Sequence, residues 1–435
     1  MSAAASWKSN VVHSGAVTMR INASRAFAVA ALVLALSRIS LGYSVLAHEA
    51  LIDAAWEANL KPLLLKRFPG ASAEQLREAH AHMYGGAIIQ DLGYYPFGNK
   101  FFSDLTHYVR SGDFVEVLLA EAQDLNEYAF ALGTLQHYAA DSTGHPIGTN
   151  RSVPLLFPKL FQKFGAVVTY EEGPSAHLRT EFAFDVAQVA KGRYAAEAYH
   201  DFIGFKVSKT VLERAFMKTY GVELKATFPN LDLSLGTYQY AVSTLIPEMT
   251  RVAWQTRKDE IAKLTPDITR EKFLYGLSRA SYEKEWGKGY QKPGALAKFL
   301  SFLFRILPKI GPLKVLAFKP LTPETEQLFV ASFNSSLERF RGFLAEVDAG
   351  RLDLENKNND TGKPTRAGEY GLADEAYAKL LDKLAADKFK GVTPEMRENI
   401  LAFYKDLSAP LQNKKDRKEW QKTLQALNEL KALQK

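Results

Sequence analysis

The sequence contains no cysteine among its 435 residues. This absence excludes disulfide bonds and thiolate zinc sites, so a bound metal would need histidine, carboxylate or backbone ligands. Segments of alternating apolar and polar residues, which are typical of strands, are also missing. What remains is ordinary for a globular protein, with 47% hydrophobic and 24% charged residues. The net charge of +7 favours an anionic partner, either a membrane surface or a nucleic acid.

The N-terminal region has the features of a secretory signal peptide. Residues 26–36 form an apolar run of eleven residues, which follows two arginines and precedes small residues. The run is too short to span a bilayer as a stable helix. We therefore interpret residues 1–42 as a signal peptide, with Met19 as an alternative start. Cleavage after Gly42 would release a secreted or periplasmic protein that begins at Tyr43, and the alternative is an uncleaved N-terminal anchor.

The remaining chain has the periodicity of helices. Residues 74–89 and 114–141 carry apolar residues at steps of three and four, and Pro and Gly separate the helical segments. This pattern predicts an all-α fold. The region that holds the histidines of interest is predicted to extend over residues 43–262.

The C-terminal part is predicted to be a helical extension in three pieces. Residues 263–352 have a helical pattern of apolar residues and include a segment rich in Leu, Phe and Lys, residues 296–319. That segment fits either a pair of interfacial helices on a membrane or a buried helical hairpin. Residues 353–371 are polar and are interpreted as a linker, and residues 372–435 are predicted to be helical.

At two places in the sequence a histidine is followed four residues later by an acidic residue. These pairs are His137 with Asp141 and His177 with Glu181. One helical turn places such side chains on one face, where they can share a cation. About one such pair is expected by chance in this sequence, and a single pair is usually a surface ion pair or a satisfied group in the core. The second pair in the same helical region favours a metal site, and zinc accepts imidazole and carboxylate ligands.

Further histidines and acids extend the pairs to an ordered series. The series resembles the signature of the zinc-dependent phospholipase C family, which is related to the single-strand nucleases of the S1/P1 type. Those enzymes hold three zinc ions in an all-α fold, and their N-terminal residue binds zinc through its own amino and carbonyl groups. The matching positions are Tyr43, His48, Asp91, His107, His137, Asp141, His145, His177 and Glu181.

The resemblance implies three zinc sites. The first would be formed by Asp91, His107, His137 and Asp141. The second would be formed by the amino and carbonyl groups of Tyr43 with His48 and the bridging Asp141. The third would be formed by His145, His177 and Glu181. In the nuclease branch the N-terminal residue lies five positions before the first histidine, as Tyr43 lies before His48, which agrees with the predicted cleavage site.

The resemblance also implies a reaction. Zinc ions would activate a water molecule for phosphodiester hydrolysis, and Asp91 would orient or deprotonate that water. Nearby Tyr94, Tyr95 and Phe97 would either line a substrate groove or close the core. Two histidines upstream, His80 and His82, are interpreted as structural or as outer contacts of the metal ligands.

The sequence is compatible with several substrate classes. Glu181 follows the phospholipase branch, so a phospholipid cleaved by phospholipase C chemistry at a peripheral membrane surface is the expected substrate. The step from His137 to His145 is eight residues, where the family usually has ten, and this shorter step resembles glycosylphosphatidylinositol-specific phospholipase D. Gly144 and Pro146 predict that the helix ends at His145. The alternatives are a single-strand nuclease, a phospholipase D-like hydrolase, and a non-catalytic zinc- or membrane-binding helical protein.

Overall fold

A computed structural model describes residues 45–95, 97–190, 206–240 and 318–433. Three of the predictions fall outside these ranges. They concern the signal peptide with Tyr43, the domain boundary at residue 262, and nearly all of the segment 296–319.

The described residues are helical, which confirms the all-α prediction. Apart from one isolated antiparallel bridge between Lys357 and Pro364, they contain no strand pairing. Shorter turns are Trp56–Leu60, Gln90–Tyr94, His145–Thr149 and Gln412–Lys415. The α-helices are α1 (Val45–Ala55), α2 (Lys61–Arg67), α3 (Ala73–Ile89), α4 (Lys100–Tyr108), α5 (Ser111–Glu121), α6 (Leu125–Gly144), α7 (Asn150–Leu156), α8 (Pro158–Phe164), α9 (Pro174–Ala190), α10 (Lys209–Tyr220), α11 (Leu224–Thr227), α12 (Leu231–Tyr240), α13 (Pro323–Asp348), α14 (Gly371–Ala386), α15 (Pro394–Phe403) and α16 (Arg417–Ala432).

Side chains cap the N-termini of the two central helices, α3 and α6. Ser72 and Gln75 form a capping box at the start of α3. The Asp124 carboxylate accepts a hydrogen bond from the Glu127 backbone N–H at the start of α6. Such caps satisfy backbone donors that have no partner within the helix, and each typically stabilises the helix by about 1 kcal/mol.

Helices α3 and α6 pack closely along their length because glycines lie between them. A Cβ atom at Gly86 would collide with the carbonyl oxygen of Phe130, and one at Gly133 would collide with that of Met83. The two backbones are thus in direct contact at the middle of the fold. This contact brings the C-terminal end of α3 and the turn after it against the half of α6 that carries the predicted ligands.

The C-terminal region shares its core with the N-terminal helices. Helix α13 packs on α6, and α14 packs on α4. A single hydrophobic cluster includes buried residues from both parts, such as Leu135 of α6 and Phe340 of α13. None of the helices in the described ranges is long and apolar enough to cross a membrane.

Residues 353–371, which the sequence predicts as a linker, lie against the helical region. The Tyr138 hydroxyl donates to the Glu355 carbonyl oxygen at 2.6 Å, and the Asn359 backbone N–H donates to the His107 carbonyl oxygen at 3.0 Å. Asn359 is fully buried. The polar groups of this segment form hydrogen bonds with the helices.

Candidate metal centre

Buried histidine and acidic side chains meet where α1, α4, α6, α9 and the turn after α3 converge. None of them is more than 5% exposed. They include every predicted metal ligand that lies within the described residues. These residues are His48, Asp91, His107, His137, Asp141, His145, His177 and Glu181.

The Asp141 carboxylate lies at the centre of this group. Four imidazole Nε2 atoms surround it, those of His137 at 3.2 Å, His48 at 3.4 Å, His107 at 3.4 Å and His145 at 3.6 Å. The four histidines come from three different helices and from the turn after α6. Asp141 thus has the position that a carboxylate bridging two metals requires.

The turn after α6 explains the short step to His145. Helix α6 ends at Gly144 and continues directly into a wider turn that begins at His145, whose backbone N–H donates to the Asp141 carbonyl oxygen. The chain therefore keeps helical geometry through this point. As a result His137, Asp141 and His145 follow one another at steps of four on the same side.

The outer nitrogens of four imidazole rings face acceptors of the protein. Such contacts set the orientation and the tautomer of each ring. Nε2 then points toward the centre of the group, as it does in known zinc sites. The Nδ1 contacts are His48 with Gln136 Oε1 (3.3 Å), His107 with the Ser103 carbonyl (2.8 Å), His137 with the Ala87 carbonyl (2.8 Å) and His145 with Asp360 Oδ1 (3.2 Å).

A second part of the group is formed by α9 and the turn after α6. Glu181 Oε1 lies 2.9 Å from His177 Nε2 and 3.3 Å from His145 Nε2. Both α9 residues point to the same place because they are one helical turn apart. This contact is the one expected for the third implied zinc site.

Three sets of side chains place ligand atoms within 4.8 Å of one another, close enough for one ion each. One set lies within the first implied site, and a second joins two ligands of the second implied site with His137 of the first. The third contains Asp360 where the resemblance implied Glu181. The sets are His48, His137 and Asp141; Asp91, His107 and His137; and His145, His177 and Asp360.

Asp360 is the residue that sequence reasoning missed. It lies in the predicted linker, 215 residues from its contact His145, and it is 2% exposed. The only local signal is the turn-forming stretch NNDTG at residues 358–362. An Asp in such a stretch is usually a turn residue, so the sequence alone offers no reason to select it.

The buried carboxylate oxygens provide a test of whether this group fits a metal. Among the described residues, no donor in suitable geometry hydrogen-bonds to either oxygen of Asp141 or of Glu181, or to Asp91 Oδ1. A buried carboxylate without donors is costly unless a cation lies next to it. The imidazole nitrogens and carboxylate oxygens of the group are ligand atoms that zinc accepts. The group therefore fits zinc.

Burial and neighbouring charges shift the pKa values of three side chains in the group. Burial lowers the pKa of the His107 imidazole, but contacts with Asp141 and a second carboxylate outweigh it and raise the pKa to about 10. Burial raises the pKa of Asp141, yet the His137 and His145 rings hold the pKa of that carboxyl well below its usual range. At Glu181 burial dominates and raises the pKa of the carboxyl well above its usual range. The neighbouring His145 ring offsets the burial of Glu181 only in part, and a cation beside the carboxylate would offset it further.

The three predicted substrate residues occupy different environments. Tyr94 is buried, with its ring 6.1 Å from that of His107. Tyr95 lies in the hydrophobic core, where its ring packs edge-on against Tyr238 at 5.1 Å. Phe97 is 47% exposed. Of the three, Tyr94 has a ring contact with the imidazole of a predicted metal ligand.

His80 and His82 make contacts outside the metal centre. The His80 ring stacks on Trp56 at 3.8 Å, and its Nε2 lies 3.1 Å from Asp53 Oδ1. The Ser208 hydroxyl lies 2.8 Å from His82 Nδ1. Both contacts agree with the structural interpretation, and the pair of Asp53 and His80 offers a comparison with the pairs at the centre.

The described residues form an all-α fold with a buried histidine and carboxylate centre that could hold metal ions. Residues 47–230 match the family model described as zinc dependent phospholipase C, and the enzymes of that family are hydrolases. No curated protein and no solved structure matches the chain. The resemblance inferred from the ordered histidine series is thereby confirmed, and the matched range covers every predicted ligand except Tyr43.

Proposed function

We propose that this protein is a secreted phosphodiesterase with three zinc ions, which hydrolyses phospholipids by phospholipase C chemistry. The observation that carries the proposal is the position of Asp141, buried among four imidazole nitrogens within 3.6 Å. Secretion after Gly42 is supported by the apolar run before it and by the family's use of a free N-terminal residue as a ligand.

The zinc ligands and Asp91 would have different roles in hydrolysis. Zinc ions would supply a water of lowered pKa and positive charge for the phosphoryl oxygens. Asp91 is 1% exposed, and its Oδ1 lies 3.4 Å from His107 Nε2. This carboxylate would orient the attacking water and accept its proton, because the oxygen has no donor among the described residues.

A basic and apolar surface on residues 151–167 supports a lipid substrate. This stretch has three basic residues and no acidic one, and α8 within it buries none of its residues. Such a combination favours binding to an anionic lipid surface. The stretch joins the two halves of the centre, since it lies between His145 and His177. Its exposed apolar side chains are Leu155 (41%), Phe161 (52%) and Val167 (51%).

Product analysis tests the proposed reaction. Protein that begins at Tyr43 is incubated with mixed phospholipids and, separately, with single-stranded DNA. We expect diacylglycerol and phosphorylated headgroups from the lipids. Release of phosphatidic acid would indicate D-type cleavage, nucleotides would indicate a nuclease, and bound zinc without turnover would indicate a non-catalytic protein.

The same experiment with a tag fused directly onto Tyr43 tests the N-terminal ligand. The fusion removes the free amino group, so we expect one zinc fewer and reduced activity. A fusion protein with unchanged zinc content and activity would contradict the assignment of Tyr43.

The proposed membrane surface predicts a loss of vesicle binding in a double variant. Leu155→Ser with Phe161→Ser should weaken binding to phosphatidylglycerol vesicles by about a hundredfold or more, since each apolar side chain of this size contributes about 1.5–3 kcal/mol on burial and about 1.4 kcal/mol is a factor of ten. Sedimentation with vesicles measures the effect. Met217→Ser, at a side chain 39% exposed elsewhere, is the control. Equal binding by the double variant and the control would reject this surface.

A further inference from the structure

The turn that carries Asp360 is held in one conformation by its own side chains. The Asn358 side-chain oxygen accepts hydrogen bonds from the backbone N–H groups of Asp360 at 2.9 Å and Thr361 at 3.1 Å. The Asn358 N–H donates to the Lys363 carbonyl oxygen at 2.9 Å, which closes the turn. Gly362 has a φ of 68°, which favours glycine at that position.

The turn is attached on both sides to the metal centre. The Asn359 N–H donates to the carbonyl oxygen of His107 at 3.0 Å, and the Asn150 side chain donates to the carbonyl oxygen of Asp360 at 2.7 Å. Asn150 follows the turn that begins at His145. The position of Asp360 is therefore defined relative to two predicted metal ligands.

Both carboxylate oxygens of Asp360 have partners. Oδ2 accepts hydrogen bonds from the Tyr170 backbone N–H at 2.9 Å and from the Tyr370 hydroxyl at 3.0 Å. Oδ1 lies 3.2 Å from His145 Nδ1. A carboxylate with this set of contacts is suited to accept a hydrogen bond from the imidazole N–H. Since both of its oxygens already have partners in the protein, it is not suited to bind a metal directly.

The contact with Asp360 determines how His145 is presented to a metal. When Nδ1 carries the proton and donates it to Asp360, Nε2 has its lone pair free for coordination. Nε2 lies 3.3 Å from Glu181 Oε1 and 3.6 Å from Asp141 Oδ1, on the inner side of the centre. Carboxylates that hold zinc-binding histidines in this way raise both the order and the basicity of the ligand.

We propose that Asp360 is a positioning residue of the metal centre, which fixes the orientation and tautomer of His145 for the zinc shared with His177 and Glu181. The inference rests on the proposed zinc centre. It extends the site beyond residues 47–230, the range that matches the family model, and gives the C-terminal region a part in it. Residues 353–371 therefore hold a ligand in place, in addition to joining helices.

Zinc affinity of full-length variants, measured by competition with a chromogenic chelator, tests the proposal. Asp360→Ala should weaken the affinity for one zinc about 10- to 100-fold, the range seen when outer contacts of ligands are lost. The number of zinc ions bound at saturation should stay that of the wild type, because no direct ligand is removed. Tyr370→Phe, which removes only one donor to Asp360, should have a smaller effect in the same direction.

Asp374→Asn is the matched control. Asp374 is also a carboxylate of the C-terminal region with 1% exposure, but it accepts hydrogen bonds from the backbone of Gly368 and Gln412, away from the centre. The zinc affinity of the Asp374→Asn protein should equal that of the wild type. Asp360→Asn and Tyr370→Phe keep the test decisive if Asp360→Ala does not fold, as judged by circular dichroism.

The outcomes separate the inference from the proposed function. Unchanged affinity in the Asp360 variants, equal weakening in Asp374→Asn, or the loss of one zinc at saturation would each overturn the positioning role. A wild-type protein without bound zinc would overturn the zinc centre itself, together with this inference.

Discussion

Asp141→Asn is expected to lower kcat/KM about a thousandfold, at the upper end of what the loss of one electrostatic contact to a transition state costs. The asparagine has nearly the same shape but no charge, so it cannot balance two cations. Because four imidazole nitrogens lie within 3.6 Å of this carboxylate, its loss should affect both parts of the centre. Zinc content should fall together with activity.

The control for this substitution is Asp53→Asn. Asp53 also faces a histidine, with His80 Nε2 at 3.1 Å, and it accepts a hydrogen bond from the Tyr84 hydroxyl at 2.5 Å. It lies outside the metal centre, so zinc content and kcat/KM should stay near those of the wild type. Elemental analysis and hydrolysis of a chromogenic phosphodiester measure both quantities. Full zinc content in Asp141→Asn would contradict the bridging role.

Removal of zinc is expected to lower the unfolding temperature by about 10 °C. A ligand present at a thousand times its dissociation constant stabilises a protein by about 4 kcal/mol, and each kcal/mol shifts the midpoint of a domain of this size by about 2–4 °C. The physical reason is the set of buried carboxylates. Without zinc, Asp141 and Glu181 stay buried, and none of the described residues hydrogen-bonds to their carboxylate oxygens in suitable geometry.

Thermal unfolding in the presence and absence of a chelator measures this effect. The control is the same chelator saturated with zinc, which keeps any direct effect of the chelator on the protein. Addition of zinc to the stripped protein should restore the midpoint. An unchanged midpoint in protein shown by elemental analysis to be free of metal would show that the buried acids are stabilised without cations.

Local patterns in the sequence account for the helices and for the paired ligands. The step of four between His137 and Asp141, and between His177 and Glu181, places each pair on one helical face regardless of the rest of the fold. The histidine order was specific enough to indicate the family, and the match over residues 47–230 confirms it. Aromatic character alone left open whether these side chains line a groove or close the core, and the structure places Tyr95 in the hydrophobic core and Phe97 at 47% exposure.

The sequence by itself determined the helical fold class, the kinds of ligand atoms and their spacing within each helix, because these depend on residues a few positions apart. Only the tertiary structure decided which helices meet around Asp141, since that depends on close packing such as the contact of Gly86 with the backbone of α6. It also decided that Asp360 joins the centre. A contact across 215 residues leaves no periodic signal, because it arises from the packing of the whole chain and not from local geometry.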